Sequence, residues 1–380
     1  MEYNTKYNRV LVFLFIISCV FLGFIIFLTY IYKANIYTVV YGSYSPAVTG
    51  WIKSTSLPQN ISDSTSITYN GYIYEIGGMG GNVNSAEIQL PYEIAGSGGV
   101  SGNQLSTVYY APINSNGTIG SWNTTTVLPV LYGSVTEYDG YIYEIGANNA
   151  TSDTEYVYYA KINNNGTITS WNTTSSLPQF LGDTAIAYAG YLYEIGGKTT
   201  NISSCTSSSP YSKPTSCPIP TVYYSKINTN GTIGAWNTTS SLPQGIQGVD
   251  SVAYNGYIYA VGGEGLTTPL STVYYAKVES NGTLGSWNTT TSLPQSVSGQ
   301  STIIYNGYIY EIGGGSKNSS LVYYAQINSN GTIGAWTATL PLPQNIIDST
   351  SALYNGYVYT LGGYNNSKML YLSTVYYSKL

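Results

Sequence analysis

The sequence contains no histidine, and Arg9 is its only arginine. Without histidine there is no Ser-His-Asp triad, no imidazole base and no His-ligated copper or zinc centre. With one arginine, placed beside an apolar stretch, no arginine cluster can clamp a carboxylate or phosphate. Charge of either sign is scarce, at 8% of residues with a formal net charge of −5. This excludes a basic nucleic-acid footprint and supplies no field to steer a polyanion. Of the three cysteines, Cys19 lies in the apolar stretch, and Cys205 and Cys217 share one segment, "CTSSSPYSKPTSC". Two cysteines without histidine make a poor zinc site, and no metal or cofactor is expected.

Tyrosine, at 43 residues, is the conspicuous surplus, with Ser, Thr, Asn and Gly filling much of the rest. Tyr and Thr suit pleated, half-buried strands, whereas Gly and Asn supply turns. The composition predicts an all-β protein with many tight turns.

Val10 to Tyr32 runs without a charge for 23 residues, enough to span a bilayer as a helix. A cleaved signal peptide would have a shorter apolar core and small residues at the cut, and "TYIYKANIY" offers no such site. The expectation is a cytoplasmic tail at 1–9, an uncleaved signal-anchor helix at 10–32 and a linker at 33–44. The rest would lie outside a single-pass cell membrane. In that setting Cys205 and Cys217 are expected to form a disulfide.

Internal repetition organises everything after the linker. Trp51, Trp122, Trp171, Trp236, Trp287 and Trp336 stand at intervals of 71, 49, 65, 51 and 49 residues. The basic unit is therefore about 50 residues, and two units carry insertions, at Met79 to Ser106 and Lys198 to Pro220. "YNGYIYEIGG" at Tyr69 recurs with variation at Tyr138, Tyr188, Tyr254, Tyr305 and Tyr354, and "VYY" also occurs six times. Each unit reads as four strands: a polar–apolar strand a, a two-residue "NG" hairpin, and strand b "YIYEIGG". Strand c, "TVYYAKI", and strand d, "TIGSWNTT", follow, joined by "NSNG".

The apolar run ending in Gly-Gly, followed by Tyr and then Trp in a unit of this length, resembles the kelch repeat. The resemblance covers residues 38–380 and implies a β-propeller. Two departures are visible: Tyr110 and Trp122 stand farther apart than in common kelch repeats, and Gly146-Ala147 replaces Gly-Gly. The chain opens on a d-type segment at Trp51 and stops at Leu380 after a c strand. The expected fold is thus an all-β, six-bladed propeller over 45–380, closed by an N-terminal d strand and preceded by one transmembrane helix. The a–b and c–d turns would share one face, toward the membrane. The inserted b–c loops would share the other, pointing outward.

Five residues near the start of strand a, Asp63, Asp183, Asp250, Gln300 and Asp348, are candidates for a polar ring at the channel mouth. Such a ring could hold a cation or a sugar, or simply cap strands and bind water. Glu75, Glu144, Glu194 and Glu311 recur inside strand b and are expected to be partly buried and hydrogen-bonded. Asn123, Asn172, Asn237, Asn288 and Asn318 are candidate glycosylation sites, whereas Asn-Gly-Thr sequons such as Asn330 read first as turn chemistry. No catalytic residue can be assigned. The leading expectation is a monomeric recognition or adhesion module binding extracellular protein or glycan. A glycan-active lyase or hydrolase using channel-mouth carboxylates and tyrosines is the alternative, and a structural glycosylated envelope component is the third. With 17 acidic residues and no histidine, the chain is also expected to tolerate acid.

Overall fold

The computed structural model describes residues 45–80, 103–129, 133–146, 155–179, 184–199, 217–315 and 320–380. The chain divides into two compact units, 1–46 and 47–380. Only Ser45 and Pro46 of the first are described, so the expected anchor, tail and most of the linker lie outside the described residues. Among the described residues no helix is long and apolar enough to cross a membrane.

The second unit is all-β, built as a β-propeller of repeated four-stranded antiparallel sheets. The described residues form six such sheets. The first is typical: strand a is Thr65–Tyr69, b is Tyr72–Ile76, c is Val108–Pro112 and d is Asn123–Thr124. In the last sheet, strands a, b and c are Thr350–Tyr354, Tyr357–Leu361 and Val375–Lys379. Its d strand comes from the other end of the chain, where Ile52–Lys53 pairs with Tyr376–Tyr377. The six a strands touch in a closed cycle, Thr65–Tyr69 meeting both Ser134–Tyr138 and Thr350–Tyr354.

Strand d is shorter than the sequence predicts. Only two residues after each tryptophan pair with strand c, and Ile119 forms an isolated bridge to Ile113. Gly120 N–H still donates to Pro112 O at 2.8 Å, and pairing lapses between that bond and Asn123. All six a–b hairpins turn on two residues with positive φ, such as Asn70 (46°) and Gly71 (84°). That conformation matches strand twist and explains the Asn-Gly signature. Ala189, at φ 52°, adopts it without a side chain suited to it.

The core lies between sheets. Tyr74, Ile76 and Val108 of the first sheet pack with Val135, Ile142 and Ala160 of the second. Strand b is therefore buried on both sides, as its almost continuous apolar run requires.

Candidate functional site

The recurrent phrase around each Asn-Gly-Thr is a joint between sheets. Tyr74 Oη donates to Gly166 O at 2.9 Å, Tyr193 to Gly282 O at 2.8 Å, and Tyr259 to Gly331 O at 2.9 Å. Each tyrosine belongs to strand b of one sheet and each glycine to the c–d turn of the next. These glycines have φ near +82°, and a Cβ on Gly117 would meet the Tyr357 ring at 2.5 Å. The asparagine is consumed locally: Asn116 Oδ1 accepts from Thr118 N–H at 3.1 Å and Thr118 Oγ1 at 2.7 Å. Trp indoles add a second set of links, Trp122 to Thr55 O at 3.1 Å and Trp51 to Leu340 O at 3.1 Å. By contrast Asn123, Asn172, Asn237 and Asn288 stand exposed in their d strands. Asn318 lies outside the described residues.

The channel-mouth candidates occupy three registers. Aligned on the tyrosine that closes strand a, Asp63 and Asp348 are equivalent, two residues before the strand. Gln300 lies one residue further along and Asp250 two, while Asp183 is outside the described residues. Register decides their roles. Asp250 stands where the second sheet has Ser134 and the last has Thr350, and all three do one job. Ser134 Oγ accepts from Ala185 N–H at 2.6 Å, and Thr350 Oγ1 from Ser66 N–H at 2.8 Å. Asp250 Oδ2 likewise accepts from Thr302 N–H at 2.5 Å, and Oδ1 from Ser251 N–H at 2.8 Å. Each satisfies the free edge of the neighbouring strand a. Burial lifts the Asp250 carboxyl to about 6 against these bonds. Gln300 is buried, and its Nε2 donates to Val261 O at 2.9 Å.

Asp63 and Asp348 are brought together. Asp63 N–H donates to Asp348 O at 2.9 Å, and Asp348 N–H to Gly299 O at 2.8 Å, a ladder of left-handed residues from sheet to sheet. Ser62 Oγ donates to Asp63 Oδ2 at 2.9 Å. Asp63 keeps contact with solvent, while Asp348 is half-buried. Burial and then the Asp63 charge push the Asp348 carboxyl well above its ordinary value; Asp63 shifts the same way. Beside them, burial pushes Tyr371 to about 12, with further contributions from the Asp63, Tyr364 and Asp348 charges. Tyr371 is 4% exposed and stacks edge-on against Tyr364, with ring centroids 5.4 Å apart. Tyr371 was not singled out by sequence, because it lies in an irregular hairpin outside the repeat.

The strand-b glutamates are more buried than expected. Glu75, Glu144, Glu194 and Glu311 are all at most 1% exposed. Glu75 Oε1 accepts from Ser64 Oγ at 2.5 Å, but neither carboxyl oxygen of Glu144 or Glu311 has a protein partner. Burial raises Glu75, Glu144 and Glu311 to about 8, so they are mostly protonated at neutral pH. Cys217 is buried and disulfide-bonded, paired in register with Thr199, and Cys205 is outside the described residues.

No protein-family model matches the sequence, and no curated protein does. Among solved structures the chain is similar to YjhT, a kelch-type propeller protein, with a TM-score of 0.60 at 16% identity. The match covers 85% of this chain and 96% of that one. At that identity the likeness speaks for architecture alone, and it places the chain among the β-propellers.

Proposed function

We propose that residues 45–380 form a closed six-bladed, kelch-like propeller held outside the cell membrane by a signal-anchor at 10–32. In this reading it acts as a recognition or adhesion module for an extracellular protein or glycan. The observation that carries the proposal is the contrast between the two faces. The a–b and c–d turns are short and locked by neighbouring sheets. The b–c connections instead carry extra hairpins, Lys198–Thr199 with Cys217–Pro218 and Tyr364–Asn365 with Leu370–Tyr371. Elaborated loops on a rigid scaffold are where binding concentrates. A Cys205–Cys217 disulfide would brace one of these loops, and Asn123, Asn172, Asn237, Asn288 and Asn318 would carry glycans around the rim. The outer edges of the described sheets are d strands of only two residues, too short to template pairing well, which favours a monomer.

The Asp63–Asp348 pair with Tyr371 favours one second reading, a glycan-active lyase or hydrolase at the channel mouth. A glycan array combined with a turnover assay on the full-length chain separates the two. Binding without product supports recognition, and product supports the enzyme. The absence of both leaves a structural envelope component.

A further inference from the structure

The six junctions between sheets are not held alike. Two kinds of hydrogen bond recur across them. In the first, a strand-d tryptophan donates to the carbonyl two residues past strand d of the preceding sheet. Trp122 reaches Thr55 O at 3.1 Å, Trp236 reaches Ser175 O at 2.9 Å and Trp287 reaches Ser240 O at 2.8 Å. Trp336 reaches Thr291 O at 3.0 Å, and Trp51 reaches Leu340 O at 3.1 Å. In the second kind, strands a are tied to one another at or just before their first residues. Ser66 bonds Thr350, Ala185 bonds Ser134, and the Thr184 and Ser251 hydroxyls lie 3.0 Å apart. Thr302 bonds Asp250, and Asp348 bonds Gly299.

The junction between the first and second sheets has neither. Trp171, whose acceptor by this pattern would be Thr126 O, has a buried indole nitrogen with no partner. Among the described residues no hydrogen bond joins Thr65–Tyr69 to Ser134–Tyr138. Ile142 packs with Tyr74 and Val108, and Glu144, two residues along the same strand, faces that junction too. Glu144 is fully buried and neither of its oxygens is bonded. In the first sheet Ser64 serves Glu75; here Gly133 stands in that place, against the Glu144 side chain, and brings no hydroxyl. Opening would give each of these buried groups water, so all of them oppose closure. What still holds the junction is Tyr74 on Gly166 O, Thr126 Oγ1 on Ile168 O at 2.7 Å, Ile168 N–H on Thr125 Oγ1 at 2.8 Å, and apolar packing. On its far side the second sheet also lacks the tyrosine joint, because the Tyr143 hydroxyl is unpartnered.

We propose that the ring has a built-in opening point between the first and second sheets, where the second sheet swings away while the seam stays shut. A ring closed by noncovalent pairing of its two ends invites the opposite expectation, that the seam parts first. The seam, however, carries every joint of the pattern. Asp63 bonds Asp348, Ser66 bonds Thr350, Thr68 Oγ1 donates to Leu353 O at 2.7 Å, Tyr359 bonds Gly117 and Trp122 bonds Thr55. Opening at the weaker junction bares Glu144 together with the apolar side chains of Ile142 and Ala160. The opening point does not depend on the recognition reading, and either can fail alone.

The test is native-state hydrogen exchange of the full-length chain, read by mass spectrometry. Tyr141–Ile145 and the start of Tyr308–Gly313 are the same five residues, "YIYEI", so their intrinsic exchange is alike and a difference reports opening. The run in the second sheet should exchange at least about tenfold faster than the run in the fifth, roughly the effect of one lost bond. Tyr357–Leu361, at the seam, should stay with the slow group. Two matched substitutions then isolate the indole bond, since both shorten the same side chain. Trp122→Phe breaks a bond at the seam and should speed exchange in Tyr357–Leu361 about tenfold. Trp171→Phe breaks none and should change exchange in Tyr141–Ile145 by less than about threefold. Equal exchange in the two "YIYEI" runs, faster exchange at the seam than in the second sheet, or equal responses to the two substitutions overturns the proposal.

Discussion

The hydroxyl of Tyr359 donates to the carbonyl of Gly117 at 2.9 Å, across 242 residues of sequence. One end of this bond lies in the last sheet and the other in the c–d turn of the first. It repeats the Tyr74–Gly166 joint where the chain must close on itself. Gly117 is buried, so its carbonyl has no access to water as a substitute. The joint is therefore both a local packing unit and part of the closure.

Tyr359→Phe should cost about 1–3 kcal/mol, because it leaves a buried carbonyl unpaired. Tyr143 holds the equivalent place, but its hydroxyl has no partner, so Tyr143→Phe should be neutral or stabilising. Urea unfolding of both variants checks the difference; equal losses would refute the assigned role of the bond.

Trp51→Ala should cost about 2–3 kcal/mol, somewhat below a fully buried tryptophan, through lost packing and the lost bond to Leu340 O. Loosening Ile52–Lys53 also bares the edge of Val375–Lys379, a template for pairing between chains. Size-exclusion chromatography should show a larger species in the variant, and a clean monomer at unchanged Tm would count against the latch.

Asn116→Ala should cost about 1 kcal/mol by breaking the turn bonds to Thr118, whereas exposed Asn123→Ala should fall within about 0.5 kcal/mol of neutral. Thermal melts of unglycosylated protein separate turn chemistry from modification at the two sequon types. Similar effects at both would overturn the distinction.

Stability should rise on acidification. The Asp63, Glu75, Glu137, Glu144, Asp250, Glu264, Glu311 and Asp348 carboxyls are all raised, chiefly by burial. A carboxyl with a raised folded pKa favours the folded state fully below its unfolded pKa. That contribution is lost as pH climbs through the folded value. For Glu75, Glu144 and Glu311 the window runs from 4.5 to about 8. Each contributes in the same direction across that window. Calorimetry should find Tm higher at the acid end of that window than at its alkaline end, and Glu311→Gln should flatten the slope. A Tm that falls between the alkaline and acid ends would contradict this.

Much of the fold was legible because the repeat is local. The Asn-Gly hairpins declare themselves by needing positive φ at both residues, and the "YIYEI" runs by their double-sided burial. The seam could be anticipated at Trp51, since the first d-type segment has no c strand before it. Strand d was overestimated because pairing lapses between the Ile113–Ile119 bridge and Asn123, in a run that reads as continuous. Lys198–Thr199 and Leu370–Tyr371 carry no period, so the hairpins they form, and Tyr371 with them, were invisible to pattern.

The sequence by itself determined the strand types, the turns, the repeat length and the exclusion of imidazole and arginine chemistry. All of these follow from backbone preference and residue chemistry acting over a few positions. Only the tertiary structure decided which polar residues meet. A displacement of two residues sends the Asp250 carboxyl to the Thr302 N–H and leaves Asp348 before its strand, with its backbone bonded to that of Asp63. Register, which is set by contacts between sheets, decides whether a carboxyl falls inside strand a or in the left-handed turn before it, and so assigns its neighbours. Burial of the strand-b glutamates has the same origin, because the packing sheet that desolvates them lies about fifty residues away in the chain.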